Sequence, residues 1–246
     1  MASKVYSFSS VDAFEFCAKR YYHERVAKDV ERVQTPEAAW GEMVHKAFEI
    51  AITESLPMPQ ELLQYQPLVD AVGRQKAAGW HVACEQSFVI RNNGSAEMTD
   101  AEDIWYNPRN LLAGSIDLLM VSPDGKSAII NDWKTNKTSK YAKPEQMELY
   151  ALATLLAYPD VERVDCCLMF IVDNFSLVKS SFVRDNIANL LEKWKRKTQT
   201  IMLATINNNF PAAKPSPLCG WCPVTSCDNY EQGAEFRERK ERRARR

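Results

Sequence analysis

Two acids and a lysine crowd one stretch of this 246-residue chain. Asp117 stands in "LLAGSIDLLMV", while Asp132 and Lys134 close "SAIINDWK". Both segments read as strands, and the "SPDGK" between them is a Pro-Asp-Gly hairpin signal. With Pro123–Lys126 as the turn, Ser122 faces Ser127 and Asp117 falls opposite Asp132. Opposed side chains have Cβ atoms about 4.5–5.5 Å apart, where like charges repel. Burying such charges costs several kcal/mol unless they are paired or hold a metal. A divalent cation removes the repulsion. Hard oxygen ligands suit Mg²⁺ or Mn²⁺, and such an ion polarises a phosphoryl oxygen and draws hydroxide from bound water. Lys134 can orient that water or stabilise charge developing on phosphorus. The alternative is a buried Asp–Lys pair that only pins the hairpin.

The elements that must hold these groups follow from periodicity. Strict alternation puts Asp117, Asp132 and Lys134 on the face of Leu119 and Ile130, with Leu118 and Trp133 on the other. Both faces are largely apolar, so the sheet is expected to be covered on both sides. Ser9 and Asp12 fit a capping box that opens a first helix. Thr35 and Pro36 start a helix over about 36–52. A third covers 60–78, with Leu62, Leu63, Leu68, Val69 and Val72 inward and Gly79 at its end. "HVACEQSFVIR" reads as a strand and "NNGSAEMTDAED" as a polar loop. A helix follows Pro144, then the strands "DCCLMFIV" and "SLVKSSFV", then a long helix over 185–206. The order predicts an α/β chain around one central mixed β-sheet flanked by helices.

"GSID", "INDWKTNK" and "QMELYALA", with Gly41 and His45 of "WGEMVHKAFE" upstream, fall in the order of four motifs of one family. They resemble the RecB-like branch of the PD-(D/E)XK nucleases: G-x-x-x-H, G-x-x-D, D-x-K and Q-x-x-x-Y. The match covers roughly residues 36–155, and the resemblance implies a restriction-endonuclease-like core. It also implies that Asp117, Asp132 and His45 are metal ligands, joined by the backbone carbonyl of Trp133, with Lys134 catalytic. Gln146 and Tyr150 are i, i+4 neighbours on one helix face; by resemblance they sit beside the active site and orient substrate or lysine. Glu85 matches an acid often found on the preceding strand, or is a surface carboxylate.

The cysteines raise a second site. "CGWCPVTSC" gives Cys219, Cys222 and Cys227, one thiolate short of a tetrahedral or cubane set, and Cys17 is the natural fourth. One cysteine before the core and three after it is similar to the iron–sulfur subset of RecB-like nucleases, which includes the AddB nuclease domain and the CRISPR-adaptation nucleases. That subset implies a [4Fe–4S] cluster stapling the two chain ends, with Zn²⁺ as the rival occupant. Ala18 stands where the family commonly has proline. Cys84, Cys166 and Cys167 lie in apolar strands and read as small core residues.

Composition bounds the rest. With 46% hydrophobic and 26% charged residues the chain is an ordinary globular one. It has no apolar run of the roughly 18 residues that a membrane span needs, and no signal-peptide segment in "MASKVYSFSS". A cytoplasmic protein is the expectation, and seven cysteines there argue against a disulfide framework. The net charge is −1, but "EFRERKERRARR" is strongly basic: a solvated helix end or a phosphate-attracting tail. We expect a single nuclease domain. Its parts are an opening helix with Cys17 (1–35), a core (36–206), a cysteine segment (207–229) and a basic tail (230–246). The leading expectation is a Mg²⁺- or Mn²⁺-dependent deoxyribonuclease, an exonuclease before an endonuclease, acting on DNA with a helicase or recombinase as partner. The alternatives are a non-catalytic nucleic-acid-binding subunit of a repair or recombination complex, and a zinc-stapled interaction domain. No G-x-x-x-x-G-K-[ST] segment occurs, so any ATP-driven unwinding belongs to another chain.

Overall fold

The computed structural model describes residues 5–31, 34–136 and 138–244. Lys137 of "NDWKTNK", the first four residues and the last two arginines of the tail lie outside them. In chain order the elements begin with α1 (Phe8–Phe16), α2 (Ala18–Tyr21), α3 (Pro36–Thr53) and α4 (Gln66–Ala77). Four strands follow: β1 (His81–Arg91), β2 (Ala96–Met98), β3 (Asn110–Val121) and β4 (Ser127–Lys134). Then come α5 (Glu145–Ala157), β5 (Arg163–Phe170), β6 (Ser176–Val183), α6 (Ile187–Ile206) and α7 (Asp228–Ala244). No helix among the described residues is long and apolar enough to cross a membrane.

Contacts divide the chain into two compact units, one built on Thr35–Lys195 and the other on Phe8–Gln34 and Arg196–Arg246. The first is an α/β unit around one six-stranded sheet of order β2-β1-β3-β4-β5-β6. Only β4 and β5 pair in parallel, with α5 crossing between them, so the sheet is mixed. Helices α3 and α4 cover one face, where Val44, Phe48 and Val69 pack with Leu118, Met120 and Trp133. The Trp133 ring stacks on Phe48 with centroids 4.3 Å apart. Helix α5 lies against the sheet strands with eight buried residues out of thirteen, the composition of a helix enclosed nearly all round.

Turn chemistry set the hairpin register as expected. Ser122 and Ser127 close it, Gly125 takes φ +70°, and Leu118 pairs with Asn131. The ladder stops there, one residue short of the expected Asp117–Asp132 pair. Strict alternation also fails. On β1, Cys84 belongs to the α3–α4 layer, yet Phe88, four residues on, packs edge-to-face on Tyr150 of α5. On β3, Leu118 and Met120 face α3–α4, while a Cβ on Gly114 would point at Phe88 and Tyr150. The change of phase falls at Glu85, a non-glycine residue at φ +46°, and both Glu85 and Asp117 drop out of the β1–β3 pairing. Asp117 therefore looks towards α3, not with Leu119 as the period-2 rule requires.

Three smaller expectations are corrected. The "polar loop" contains β2 and a 3₁₀ turn at Glu102–Trp105, whose Ile104 is buried. The helix expected over 60–78 is a 3₁₀ segment, Gln60–Tyr65, followed by α4, because Pro67 has no N–H to continue one ladder through that point. That change of period turns Leu63 outward, 49% exposed, while Leu62, Val69 and Val72 are buried. Helix α1 starts at Phe8, ahead of the expected Ser9 cap.

In the second unit the chain leaves α1 at Cys17, whose extended backbone (φ −164°, ψ 107°) separates α1 from α2. Lys19 N–H donates to the Pro211 carbonyl at 3.1 Å, and Phe210 packs on Tyr21 and Tyr22. Helix α7 carries the basic tail. Arg237, Arg239 and Arg242 pair with Glu241, Glu235 and Glu238 one turn away, at 3.6–3.9 Å. Such exposed pairs contribute little stability, about 0.3–0.5 kcal/mol each.

Candidate active site and thiol pocket

Five elements of the first unit, α3, β1, β3, β4 and α5, meet at the hairpin's open end. Helix α3 starts at Pro36, with Thr35 Oγ1 accepting the Ala38 N–H at 3.2 Å. Gly41 lets it approach closely, since a Cβ there would sit 3.0 Å from Thr135 Oγ1. One turn on, His45 Nδ1 lies 3.3 Å from Asp117 Oδ2 and 3.9 Å from Glu85 Oε1. Ligating atoms of His45, Glu85 and Asp117 all fall within 4.8 Å of one another. Asp117 also accepts the Trp133 N–H at 2.8 Å, its carboxylate replacing the missing ladder partner.

On the α5 side, Lys134 Nζ lies 2.5 Å from Asp132 Oδ2 and donates to Gln146 Oε1 at 2.8 Å. Gln146 Nε2 donates to Asp132 Oδ1 and to the Tyr150 hydroxyl, both at 2.8 Å. A lysine has only protons to give, so this network fixes which end of the Gln146 amide is oxygen. The two carboxylates thus enter from opposite helix layers at the point where the ladder ends. They still feel each other. Burial first, then the Asp117 charge, pushes Asp132 up to about 7, against the pull of Lys134. Asp132 is 1% exposed, and its Oδ2 has the lysine contact but no aligned hydrogen bond. Burial and Asp117 raise Glu85 as well. Burial lowers His45, but contact with Asp117 and the fields of Asp132 and Glu85 outweigh it, so the imidazole is raised. Burial holds Tyr150 well above its ordinary range, a neutral phenol. A buried, repelling set of acids with an under-bonded oxygen suits a divalent cation.

Glu85 is the residue that spacing alone did not decide. A strand position gives no hint of φ +46°, a conformation that costs about 1–3 kcal/mol in a non-glycine residue and gathers at functional sites. Ser115 Oγ holds its other oxygen at 3.2 Å. The glycine of "GSID" also acquires a reason. A Cβ on Gly114 would lie 2.8 Å from two atoms of the Phe88 ring, which is 0% exposed and supports Tyr150. Gly114→Ala is expected to lower stability by about 1–3 kcal/mol, read as a lower denaturation midpoint at unchanged m-value.

The second unit gathers the other predicted set. Cys17, Cys219, Cys222 and Cys227 all line one cavity of about 290 Å³. Donors already point at three of the sulfurs: Ala213 N–H to Cys17 at 3.5 Å, Ser216 Oγ beside Cys219 at 3.8 Å, and the Val224 N–H to Cys222. Asn229 Nδ2 anchors the Ala213 carbonyl at 2.8 Å. Burial raises the Cys222 thiol, while Val224 and Arg20 pull it down. Four thiols in one cavity, met by N–H and O–H donors, are a fitting set for a thiolate-bound metal group. Cys166 is buried as expected, its thiol raised by burial. Cys84 is half-buried, packs against the α3–α4 layer and is pushed up to about 11.

No curated protein matches the chain. Among solved structures, "SSO0001" is similar at 14% identity over 92% of this chain and 86% of that one, with a TM-score of 0.48. A candidate exonuclease of Eubacterium rectale is similar at 10% identity over 93% and 88%, also at 0.48. The profile of the PD-(D/E)XK nuclease superfamily matches residues 5–227. With nine-tenths of its length inside that match, this chain belongs to the PD-(D/E)XK nuclease superfamily.

Proposed function

We propose that the chain is a divalent-metal-dependent deoxyribonuclease that hydrolyses phosphodiester bonds from strand ends, in the iron–sulfur subset of the RecB-like branch. The observation that carries this is the His45–Glu85–Asp117 group lying beside the Asp132–Lys134–Gln146 network. His45, Glu85 and Asp117 would hold a Mg²⁺ or Mn²⁺ ion, with Asp132 and the Trp133 carbonyl as further ligands. When bound, such an ion polarises a phosphoryl oxygen and lowers the pKa of water. The chain's own groups supply the rest. Gln146 and Asp132 hold the Lys134 ammonium between them, where it can donate to a phosphate oxygen. Tyr150 stays protonated and fixes Gln146.

The thiol pocket would carry a [4Fe–4S] cluster as a structural staple within the second unit. Four thiolates suit zinc as well, and it is the resemblance to the iron–sulfur subset that favours the larger group.

The test uses linear and circular DNA with Mg²⁺, Mn²⁺ or chelator. Label should leave the ends of linear DNA only with metal, while circles stay whole. Inertness with both metals would remove the nuclease reading, and cut circles would remove the end-directed one. Anaerobically purified protein should be brown; colourless protein rich in zinc overturns the cluster.

A further inference from the structure

Beside the candidate ion site opens a cleft of about 1230 Å³, bounded by the start of α3, by Thr135, Asn136 and Thr138, and by Val172. His45 and Glu85 form part of its wall, and Trp40 another part. Trp133 stacks on Phe48 and Trp194 is 0% exposed, so both are used in packing. Trp40 is 36% exposed, and its ring has no aromatic or cationic partner among the described residues. The described lining of the cleft is also acidic. Lys46 is the one cation among its described lining residues, and it is paired with Glu49 at 2.8 Å. Four glutamates share the wall with it. Lys and Arg contacts from the described lining therefore offer little affinity for a polyanion, and another kind of contact is called for. An exposed indole is a stacking platform for bases, and it tolerates any sequence.

We propose that Trp40 stacks on a nucleobase of the bound strand, next to the nucleotide whose phosphate meets His45, Glu85 and Asp117. This rests on the nuclease reading above. Trp40 and His45 are five residues apart on α3, roughly 7.5 Å along the helix axis, a separation of about one extended nucleotide. The site thus recognises the base face of an unpaired strand, and the phosphate is left to the metal-site residues.

The experiment follows Mg²⁺-dependent cleavage of labelled single strands in which one abasic nucleotide is moved through successive positions near the end. With wild-type protein, one position should raise KM by roughly 5- to 150-fold, the range of one base–aromatic stack. Trp40→Ala should show a similar rise on the intact strand and lose its sensitivity to the abasic position, and Trp40→Phe should restore both. Because Trp40 is only 36% exposed, melts of both variants check that the rise in KM is not a loss of fold, and Trp40→Phe keeps a ring that packs. A Trp40→Ala protein that keeps the wild-type KM, or that still discriminates the abasic position, overturns the proposal. Cleavage that is insensitive to abasic nucleotides throughout does so too and leaves the nuclease reading standing. Absence of any wild-type cleavage removes both.

Discussion

Asp117→Asn is expected to reduce DNA cleavage by about 10³-fold or more while melting no lower than wild type in the presence of chelator. The amide oxygen can still accept the Trp133 N–H that Asp117 accepts at 2.8 Å, so the break in the β3–β4 ladder stays bridged. What disappears is a negative charge from a crowded place. Asp117 raises both Asp132 and Glu85, second only to burial. The pH dependence follows with a definite sign. Asp132 releases its proton near 4 in the unfolded chain and at about 7 in the native one. Between those values the native state holds more protons than the unfolded state, so metal-free wild type loses stability as pH rises through that window. His45, raised by the same acids, adds stability that is present below 6.5 and is lost in the same direction. Neutralising residue 117 should flatten the fall. Mg²⁺ held by the proposed site would stabilise only the native state, so it should raise the wild-type melting point and leave the variant's unmoved. Thermal melts from pH 4 to 8, with and without Mg²⁺, read all of this. A variant that cuts DNA at the wild-type rate, or a wild type whose stability ignores Mg²⁺, removes Asp117 from the metal site.

How far the site could be read beforehand depended on what fixed each residue. The hairpin register was legible because a Pro-Asp-Gly turn dictates it locally, and the face of Trp133 followed from alternation. The same alternation misplaced Asp117. A strand's side chains keep phase only while the backbone stays extended, and Glu85 leaves that region without any sequence signal such as glycine. His45 was legible only through motif order; nothing in a lone helical histidine announces two carboxylates within 4 Å. Gln146 and Tyr150 were placed by i, i+4 spacing, which a helix enforces, but the lysine contact is tertiary. For the cysteines, the spacing C-x2-C-x4-C predicted a common pocket, and Cys17 joins it through a break between α1 and α2. The N–H donors to Cys17 and Cys222 are backbone groups, invisible in residue types.

Gly233→Ala is expected to dismantle the thiol pocket, although alanine is ordinarily the better residue inside a helix. The substitution should stabilise α7 by about 1 kcal/mol if propensity were all that mattered. Packing decides otherwise. A Cβ on Gly233 would overlap the Gly220 backbone nitrogen and come within 2.6 Å of the Cys219 carbonyl carbon. Gly220 faces the same constraint from the other side, where a Cβ would lie 2.5 Å from the Gly233 carbonyl carbon. Backbone meets backbone, so no flexible side chain can yield, and overpacking of that kind costs about 1–3 kcal/mol or more. The contact is also what presses α7 on the cysteine segment, helped by Arg237, which donates to the Gly220 carbonyl at 2.8 Å and to the Tyr230 hydroxyl at 3.1 Å. Asn229 and Tyr230 on the first turns of α7 line the cavity of the four thiols. Lifting the helix therefore opens the pocket. With the proposed cluster in the wild type, Gly233→Ala protein should lose its visible absorption and bound metal and be cut faster by protease within residues 196–244. Gly73→Ala is the control. It lies in α4 with nothing within 4 Å of the added methyl, and should raise stability by about 0.5–1 kcal/mol. Full metal content in Gly233→Ala would show that α7 does not hold the pocket closed.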